Sequence, residues 1–178
     1  IAADRLPVLL QALPAQRALV ELSQEIWQTG RSSRSMFLMG AAVVVATLRG
    51  ERLEVAHAGD CRAYLLTDGH LTRLTRDHVY REQLDTRGDG RLVRHLGLKE
   101  LEPDVLEVDF PPGGRLLLCS DGLHKEIPED EVARLLGTPE GAKQACDLLV
   151  DAAREAGGHD NITALVVLSP VDNISEHG

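Results

Sequence analysis

Aromatic side chains are scarce in this sequence: Trp, Tyr and Phe together make up 3% of its 178 residues. Proteins that bind single-stranded nucleic acids stack the bases on aromatic rings, and nucleic-acid binders in general carry an excess of positive charge. Here 28 acidic residues outnumber 19 Lys and Arg, so the formal net charge is -9. The composition therefore argues against nucleic acid as a partner.

Cysteines and long apolar runs are also few. The three cysteines, Cys61, Cys119 and Cys146, have no metal-ligand spacing and leave one over from any pairing, which favours a reducing compartment. No apolar run approaches the roughly 18 residues of a membrane span, and no basic-then-apolar leader opens the chain. We therefore expect a cytoplasmic monomer, although the first residue, Ile1, leaves open whether the natural chain starts earlier.

Hydrophobic periodicity divides the chain into helical and β-rich parts. Apolar spacing predicts two helices in residues 4–28, interrupted near Pro14, followed by a polar connection over residues 30–35. Further helices are predicted at residues 77–87, from Pro128, and over residues 139–156, where one apolar face holds Ala142, Ala145, Leu148, Leu149 and Ala152. Short β-rich runs with tight turns predict an antiparallel meander, formed by residues 43–48, 53–58, 62–66 and 71–74.

Two further apolar runs have an aspartate at one end. Residues 115–123, RLLLCSDGL, predict a buried strand that stops at Asp121, and Asp160 precedes the β-rich run of residues 162–168. If the two strands are antiparallel neighbours, these carboxylates converge. Converging carboxylates repel each other unless a cation lies between them, so this pattern predicts a metal site.

Aspartate oxygens suit Mg²⁺ or Mn²⁺ better than zinc. Two such ions can lower the pKa of a shared water and orient it for attack on phosphorus, which is among the slowest uncatalysed hydrolyses. Asp60, beside Gly59 at another strand junction, is either a further ligand or an ordinary turn residue. His159 is either a capping residue or an auxiliary group that orients a ligand or moves a proton, and Asn161 either bonds a carboxylate or closes the turn.

A cysteine-phosphatase loop is a competing interpretation of this region. Cys119 is followed by five residues and then by Lys125, where such a loop needs arginine. Lysine lacks the bidentate guanidinium fork, and Asp121 would place a negative charge inside the phosphate cradle. Cys119 is therefore predicted to be a buried strand residue.

Several short motifs together resemble the metal-dependent serine/threonine phosphatases of type 2C. The resemblance covers residues 36–168 and implies an α+β fold: an α-β-β-α sandwich of two antiparallel sheets flanked by helices. It also implies a centre of two Mg²⁺ or Mn²⁺ ions with Asp121 and Asp160 as ligands, and Asp60 serving a weaker third ion. The motifs, in chain order, are MGAA from Met39, AGDCRAY from Ala58, LTRDH from Leu74, RHLG from Arg94, LCSDGL from Leu118 and GHDNIT from Gly158.

Three features depart from the pattern of that family. Nothing before Met36 resembles the amino-terminal strand that carries a bridging Asp-Gly and then Gly-Gly-His. Ala41-Ala42 replaces a frequent Thr-Thr. Lys125 stands where an aspartate near the third ion is frequent, which makes occupancy by a third ion less expected and could instead place a cation near phosphate. With the bridging carboxylate missing, we expect weak or no activity from this chain alone.

The resemblance implies a bacterial enzyme that removes phosphate from phosphoserine or phosphothreonine of a protein phosphorylated by a Ser/Thr kinase. The reaction would use a metal-activated water without a covalent intermediate. One alternative is a catalytically silent regulatory domain that binds a partner; another is a phosphatase of the same fold that acts on anti-sigma-factor antagonists. We expect one phosphatase-like domain over residues 1–170, followed by a tail of residues 171–178.

Overall fold

The fold is taken from a computed structural model, which describes residues 2–32, 39–80 and 91–170. Its helices are α1 (Ala2–Ala12), α2 (Ala15–Arg31), α3 (Asp121–His124), α4 (Glu129–Gly137) and α5 (Ala142–Ala156). Its strands are β1 (Val43–Arg49), β2 (Arg52–Ala58), β3 (Arg62–Thr67), β4 (His70–Arg73), β5 (Val79–Tyr80), β6 (Arg91–Leu92), β7 (Asp104–Asp109), β8 (Arg115–Cys119) and β9 (Ala164–Leu168). The residues group into two compact units, each assembled from several stretches of the chain.

The first unit contains α1, α2 and most of the sheet ordered β1-β2-β7. The two predicted amino-terminal helices are confirmed, and Pro14 separates them because its ring cannot continue the first helix. A leucine stripe on α2 is fully buried against small residues of β2 such as Ala56 and Ala58. This packing buries the apolar face that the periodicity predicted.

A close backbone contact within the first unit explains one of the sequence motifs. Ala41 and Leu96 exchange backbone hydrogen bonds of 3.3 and 2.9 Å. Gly97 follows with φ of +96°, and a Cβ there would lie 2.1 Å from the carbonyl oxygen of Met39. Only glycine combines this backbone conformation with such a close approach, so Gly97 permits residues 39–42 to pack beside residues 94–97.

The second unit is built on an antiparallel sheet ordered β4-β3-β8-β9, with α4 and α5 among its helices. Strand β8 lies between β3 and β9, which confirms that the run before Asp121 is an interior strand. Cys119 is 3% exposed, so the prediction that it is a buried strand residue is also confirmed. Arg115, at the start of β8, donates from Nη1 to the carbonyl oxygens of Leu136 and Pro139, at 2.9 and 2.5 Å. This guanidinium satisfies one carbonyl in the last turn of α4 and one in the segment that follows the helix.

The structure differs from the predicted meander and, in part, from the predicted face of α5. The meander is divided, because β1 and β2 belong to one sheet while β3 and β4 belong to another. Residues 104–109, to which the sequence analysis assigned no element, form strand β7, whose side chains alternate between half-buried and exposed. The apolar face of α5 is confirmed in part: Ala145 and Leu149 are buried and Ala152 packs against the core, whereas Leu148 is 38% exposed and Ala153 is buried instead.

The helix expected over residues 77–87 also differs from the structure where the structure describes it. Val79–Tyr80 form strand β5, paired with β6, and the backbone N–H of His78 donates to Gly59 O at 2.9 Å. These sheet-like and long-range bonds take the place of the first turn of the predicted helix. Residues 81–87 of the predicted helix lie outside the described ranges.

Candidate metal centre

The adjoining ends of β8 and β9 bring two of the predicted site residues to one end of the sheet in the second unit. The strands are antiparallel, and Cys119, the last residue of β8, is opposite Ala164, the first residue of β9. Asp121 begins α3 directly after β8, and Asp160 lies in the loop that leads into β9. The strand arrangement on which their convergence was predicted is therefore present.

Ser120 fastens the two segments together. Its backbone N–H donates to Thr163 O at 3.1 Å, and its Oγ accepts the N–H of Thr163 at 3.0 Å. The same hydroxyl donates to Asn161 O at 3.1 Å. One side chain thus supplies both a donor and an acceptor where the regular ladder between β8 and β9 ends.

Gly122 allows an unusually close approach between the same two segments. A Cβ at this position would lie 2.4 Å from the carbonyl oxygen of Asn161 and 3.3 Å from the carbonyl carbon of Asp160. Because these contacts are with backbone, a side chain could be accommodated only by moving one segment away from the other. Asp121 is thus followed directly by the small residue, Gly122, that lets the backbone of Asp160 come close to the Asp121 segment.

Each of the two carboxylates has a polar partner in the structure. Asp121 is half-buried, and its Oδ2 accepts a hydrogen bond from Lys125 Nζ at 2.8 Å. Asp160 is exposed, and its Oδ1 accepts the backbone N–H of Asn161 at 2.7 Å. Asn161 thus bonds the carboxylate through its main chain. Both aspartates offer the hard oxygen atoms that Mg²⁺ and Mn²⁺ prefer, so the chemistry of these donors fits the predicted ions.

Glu126 holds the loop that carries Asp160. Its Oε1 accepts hydrogen bonds from the backbone N–H of His159 at 3.3 Å and from His159 Nδ1 at 3.0 Å. The hydrogen bond from the His159 side chain is the main reason why the pKa of Glu126 is below its usual value. A carboxylate on Nδ1 assigns the proton to that nitrogen, so neutral His159 has its basic lone pair on Nε2.

Asp60 belongs to the first unit, where it is half-buried in the bend between β2 and β3. Its role as a ligand of a third ion stays a prediction, as do the ligand roles of Asp121 and Asp160. Sequence reasoning did not single out Glu126 as part of the site. The available signal was its place five positions after Asp121, shortly beyond the end of the LCSDGL motif.

A second group of possible metal ligands was missed from the sequence. His57, His78 and Asp104, all in the first unit, have ligand atoms within 4.8 Å of one another. The Nε2 atoms of His78 and His57 lie 3.0 and 3.9 Å from Asp104 Oδ2, and the two imidazole rings stack with centroids 4.6 Å apart. These residues are far apart in the chain and show no ligand spacing, so only the fold reveals the group.

The protons in this group are assigned by its hydrogen bonds. His78 Nδ1 accepts the N–H of Gly59 at 3.3 Å, so Nε2 carries the proton that is donated to Asp104. Asp104 also accepts from Arg94 at 2.6 Å. The hydrogen bond from His78, together with the positive charge of Arg94, lowers the pKa of Asp104. In this arrangement His78 points an N–H toward Asp104. The nitrogen lone pair that could bind a metal faces Gly59 instead.

His57 is the most deeply buried member, at 1% exposure. Burial, aided by the neighbouring His78, lowers the pKa of His57 to about 4. The ring is therefore neutral near pH 7, and its approach to Asp104 is not an ion pair there. Within the described residues, His57 Nδ1 is buried without a hydrogen-bond partner.

Comparison with known proteins gives the family of this chain. The family model for Stage II sporulation protein E (SpoIIE) matches residues 8–169. The chain belongs to the SpoIIE/PP2C-type family. The resemblance drawn from the sequence motifs is thereby confirmed.

Relatives in this family are named as phosphatases. The serine/threonine phosphatase stp of Listeria monocytogenes serotype 4b is 32% identical over 165 residues, which cover 85% of this chain and 66% of that protein. The serine/threonine protein phosphatase PstP of Mycobacterium tuberculosis is 34% identical over 140 residues, covering 72% of this chain and 27% of the relative. The chain therefore spans just under two thirds of the first relative and about a quarter of the second.

A solved family structure shows the same fold. The catalytic domain of serine threonine protein phosphatase PstP, in complex with 2 manganese ions, superposes with a TM-score of 0.81 at 29% identity; the match covers 96% of this chain and 81% of that one. The predicted α+β fold class, with antiparallel sheets and helices, is confirmed. Of the helices in the part of this family member that the structure describes, none is long and apolar enough to cross a membrane.

Proposed function

We propose that this chain is the metal-binding part of a protein serine/threonine phosphatase that uses Mn²⁺ or Mg²⁺. The observation that carries the proposal is the joining of the Asp121 and Asp160 segments at one end of the β8–β9 pair. Family membership and the names of the relatives support the enzymatic interpretation over a silent binding domain. The manganese-bound structure of PstP supports the choice of ion.

Asp121 and Asp160 hold the ions through their carboxylate oxygens, and Asp60 serves as an auxiliary ligand. When bound, two such ions supply a water of lowered pKa and neutralise charge on a phosphate group. Ser120 and Gly122 keep the two ligand segments together, as their contacts with residues 160–163 indicate.

Glu126 and His159 form a supporting pair beside Asp160. Because Glu126 accepts from Nδ1, His159 keeps Nε2 available to hold or release a proton. The His159 side chain is 82% exposed, which gives that nitrogen access to a substrate. We assign His159 an auxiliary role in proton transfer and Glu126 a role in positioning the loop.

The substrate in this proposal is a phosphoserine or phosphothreonine protein produced by a bacterial Ser/Thr kinase. The names of the stp and PstP relatives support this class. Bacterial signalling in the cytoplasm and a monomeric state complete the proposal. A single phosphatase domain over residues 1–170 is also part of it.

The test is hydrolysis of a phosphothreonine peptide by this chain with and without Mn²⁺. We expect slow hydrolysis that EDTA abolishes and that Asp121→Asn and Asp160→Asn each reduce by about 100-fold or more, since each removes a charged ligand oxygen. Asp147→Asn is the matched control, because Asp147 is an exposed aspartate on α5. It should leave the rate unchanged.

Two results would contradict the proposal. Hydrolysis that persists in EDTA, or in Asp121→Asn, would exclude the metal mechanism. No hydrolysis above background at saturating Mn²⁺, together with no Mn²⁺ binding that depends on Asp121, would favour the silent binding domain for this chain.

A further inference from the structure

The ammonium group of Lys125 contacts the carboxylate of Asp121, to which a metal ion would bind. Lys125 lies one helical turn after Asp121, where α3 ends, and its Nζ is 2.8 Å from Asp121 Oδ2. The two side chains are 39% and 25% exposed. An ammonium group of this chain therefore contacts the carboxylate that the proposed function assigns to a divalent ion.

An ammonium group and a divalent ion compete for the same oxygen. Mn²⁺ and Mg²⁺ need ligand oxygens at roughly 2.0–2.2 Å, so an ion on Asp121 would meet the Lys125 charge within a few ångströms. Either the ammonium leaves the carboxylate or it stays nearby and repels the ion. Both outcomes cost free energy that a neutral side chain at position 125 would not impose.

The partners of the second carboxylate are different in kind. Asp160 Oδ1 accepts a hydrogen bond from a neutral peptide N–H of Asn161. A peptide N–H can remain bonded to a carboxylate while the carboxylate binds a metal, because it carries no net charge. The penalty on metal binding thus falls on Asp121.

We propose that Lys125 is an internal competitor for metal at Asp121, so that it sets the metal affinity of the site. In the metal-free protein Lys125 neutralises the charge of Asp121. At low divalent-ion concentration it keeps the site empty. This inference rests on the proposed function, because it takes Asp121 to be a metal ligand.

The chain contains a matched control for this inference. Lys143 and Asp147, on α5, also form a Lys–Asp pair four residues apart, with Nζ 2.5 Å from Oδ2. Lys143 is 87% exposed, and no site function is assigned to either residue. Lys143→Met removes the same charge from the protein as Lys125→Met, so it isolates the effect of net charge from the effect of position.

The experiment measures Mn²⁺ binding to the metal-free chain by the electron paramagnetic resonance signal of free Mn²⁺. Asp121→Asn defines the binding that does not depend on the site. In about 0.1 M KCl, we expect Lys125→Met to tighten the Asp121-dependent binding by about threefold to tenfold. Lys143→Met and Lys125→Arg should stay within about twofold of the wild type, because one changes a remote charge and the other keeps the local charge.

The dependence of Mn²⁺ affinity on ionic strength is a second readout. It would not change if Lys125 acted only on the stability of the fold. In about 1 M KCl the Debye length falls to about 3 Å, so the advantage of Lys125→Met over the wild type should shrink. Thermal unfolding followed by circular dichroism checks that each variant is folded.

The possible failures are distinguishable. If Asp121→Asn abolishes a class of Mn²⁺ sites but Lys125→Met binds no tighter than Lys143→Met, the competitor role is wrong while the metal site stands. Weaker binding by Lys125→Met also overturns the competitor role. If Asp121→Asn binds Mn²⁺ as the wild type does, Asp121 is not a ligand and the proposed function itself fails.

Discussion

The buried His57 ring should make the protein sensitive to mild acid. Its pKa is about 4 in the folded state, against an ordinary value of 6.5 that applies to the unfolded chain. As the pH falls below about 7, His57 becomes protonated in the unfolded state but stays neutral in the folded state, so the free energy of unfolding decreases. The loss continues down to the folded pKa and levels off below it.

The magnitude follows from the two pKa values. Between about pH 7.5 and pH 5.0, linkage through this one histidine removes about 2 kcal/mol of stability. For a chain of this size, a change of that order lowers the melting temperature by roughly 4–8 °C. Keeping the scan above about pH 5 leaves ordinary carboxylates mostly ionised, so their contribution is small.

The assay compares thermal unfolding of wild type and His57→Gln across this pH range, with EDTA present throughout. Glutamine keeps a polar group facing Asp104 but does not titrate. We expect the variant to lose about 2 kcal/mol less than the wild type over the scan, whatever its stability at neutral pH. Equal pH slopes for both proteins would refute the reasoning, as would an NMR titration in which His57 protonates near 6.5.

Two further predictions concern packing in the second unit. Gly122→Ala forces a Cβ toward the carbonyl oxygen of Asn161, 2.4 Å away, so chemical denaturation should show a loss of about 1–3 kcal/mol together with weaker Mn²⁺ binding. Gly141→Ala, where a Cβ would meet nothing within 4 Å, is the control, and an equal effect of both changes would contradict the steric argument. Leu149→Ala, at a fully buried position, should cost about 2–5 kcal/mol in the same assay. Leu148→Ala, at a position 38% exposed, should cost under about 1 kcal/mol, and the reverse order would mean that the face of α5 is misassigned.

The sequence predicted the metal-centre segments well because their signals are local. An apolar run that ends in Ser120-Asp121-Gly122 specifies a buried strand followed by a sharp change of direction. Before β9 the order is reversed: the glycines and Asp160 come first and the apolar run follows. The convergence of the two aspartates then required only the assumption that these strands are antiparallel neighbours, and the register of β8 and β9 confirms it.

Features that depend on distant partners were not predictable in the same way. Alternation along β2 and β3 indicates strands but does not say that they join different sheets. Asp77 has the side chain of a good helix cap, yet the backbone of His78 bonds to Gly59 instead. The His57 group escaped notice for the same reason, since its members meet only after folding.

The sequence ranges of the two compact units alternate along the chain: residues 1–47, 54–61 and 75–107 belong to one, and the intervening stretches with residues 108–178 belong to the other. No single cut in the polypeptide can therefore release either unit whole. Exchange of one contiguous stretch, such as residues 108–178, would replace only part of a unit and leave its remaining strands to pack against foreign sequence. An exchange that preserves both cores is therefore expected to include the whole region that encodes the two units.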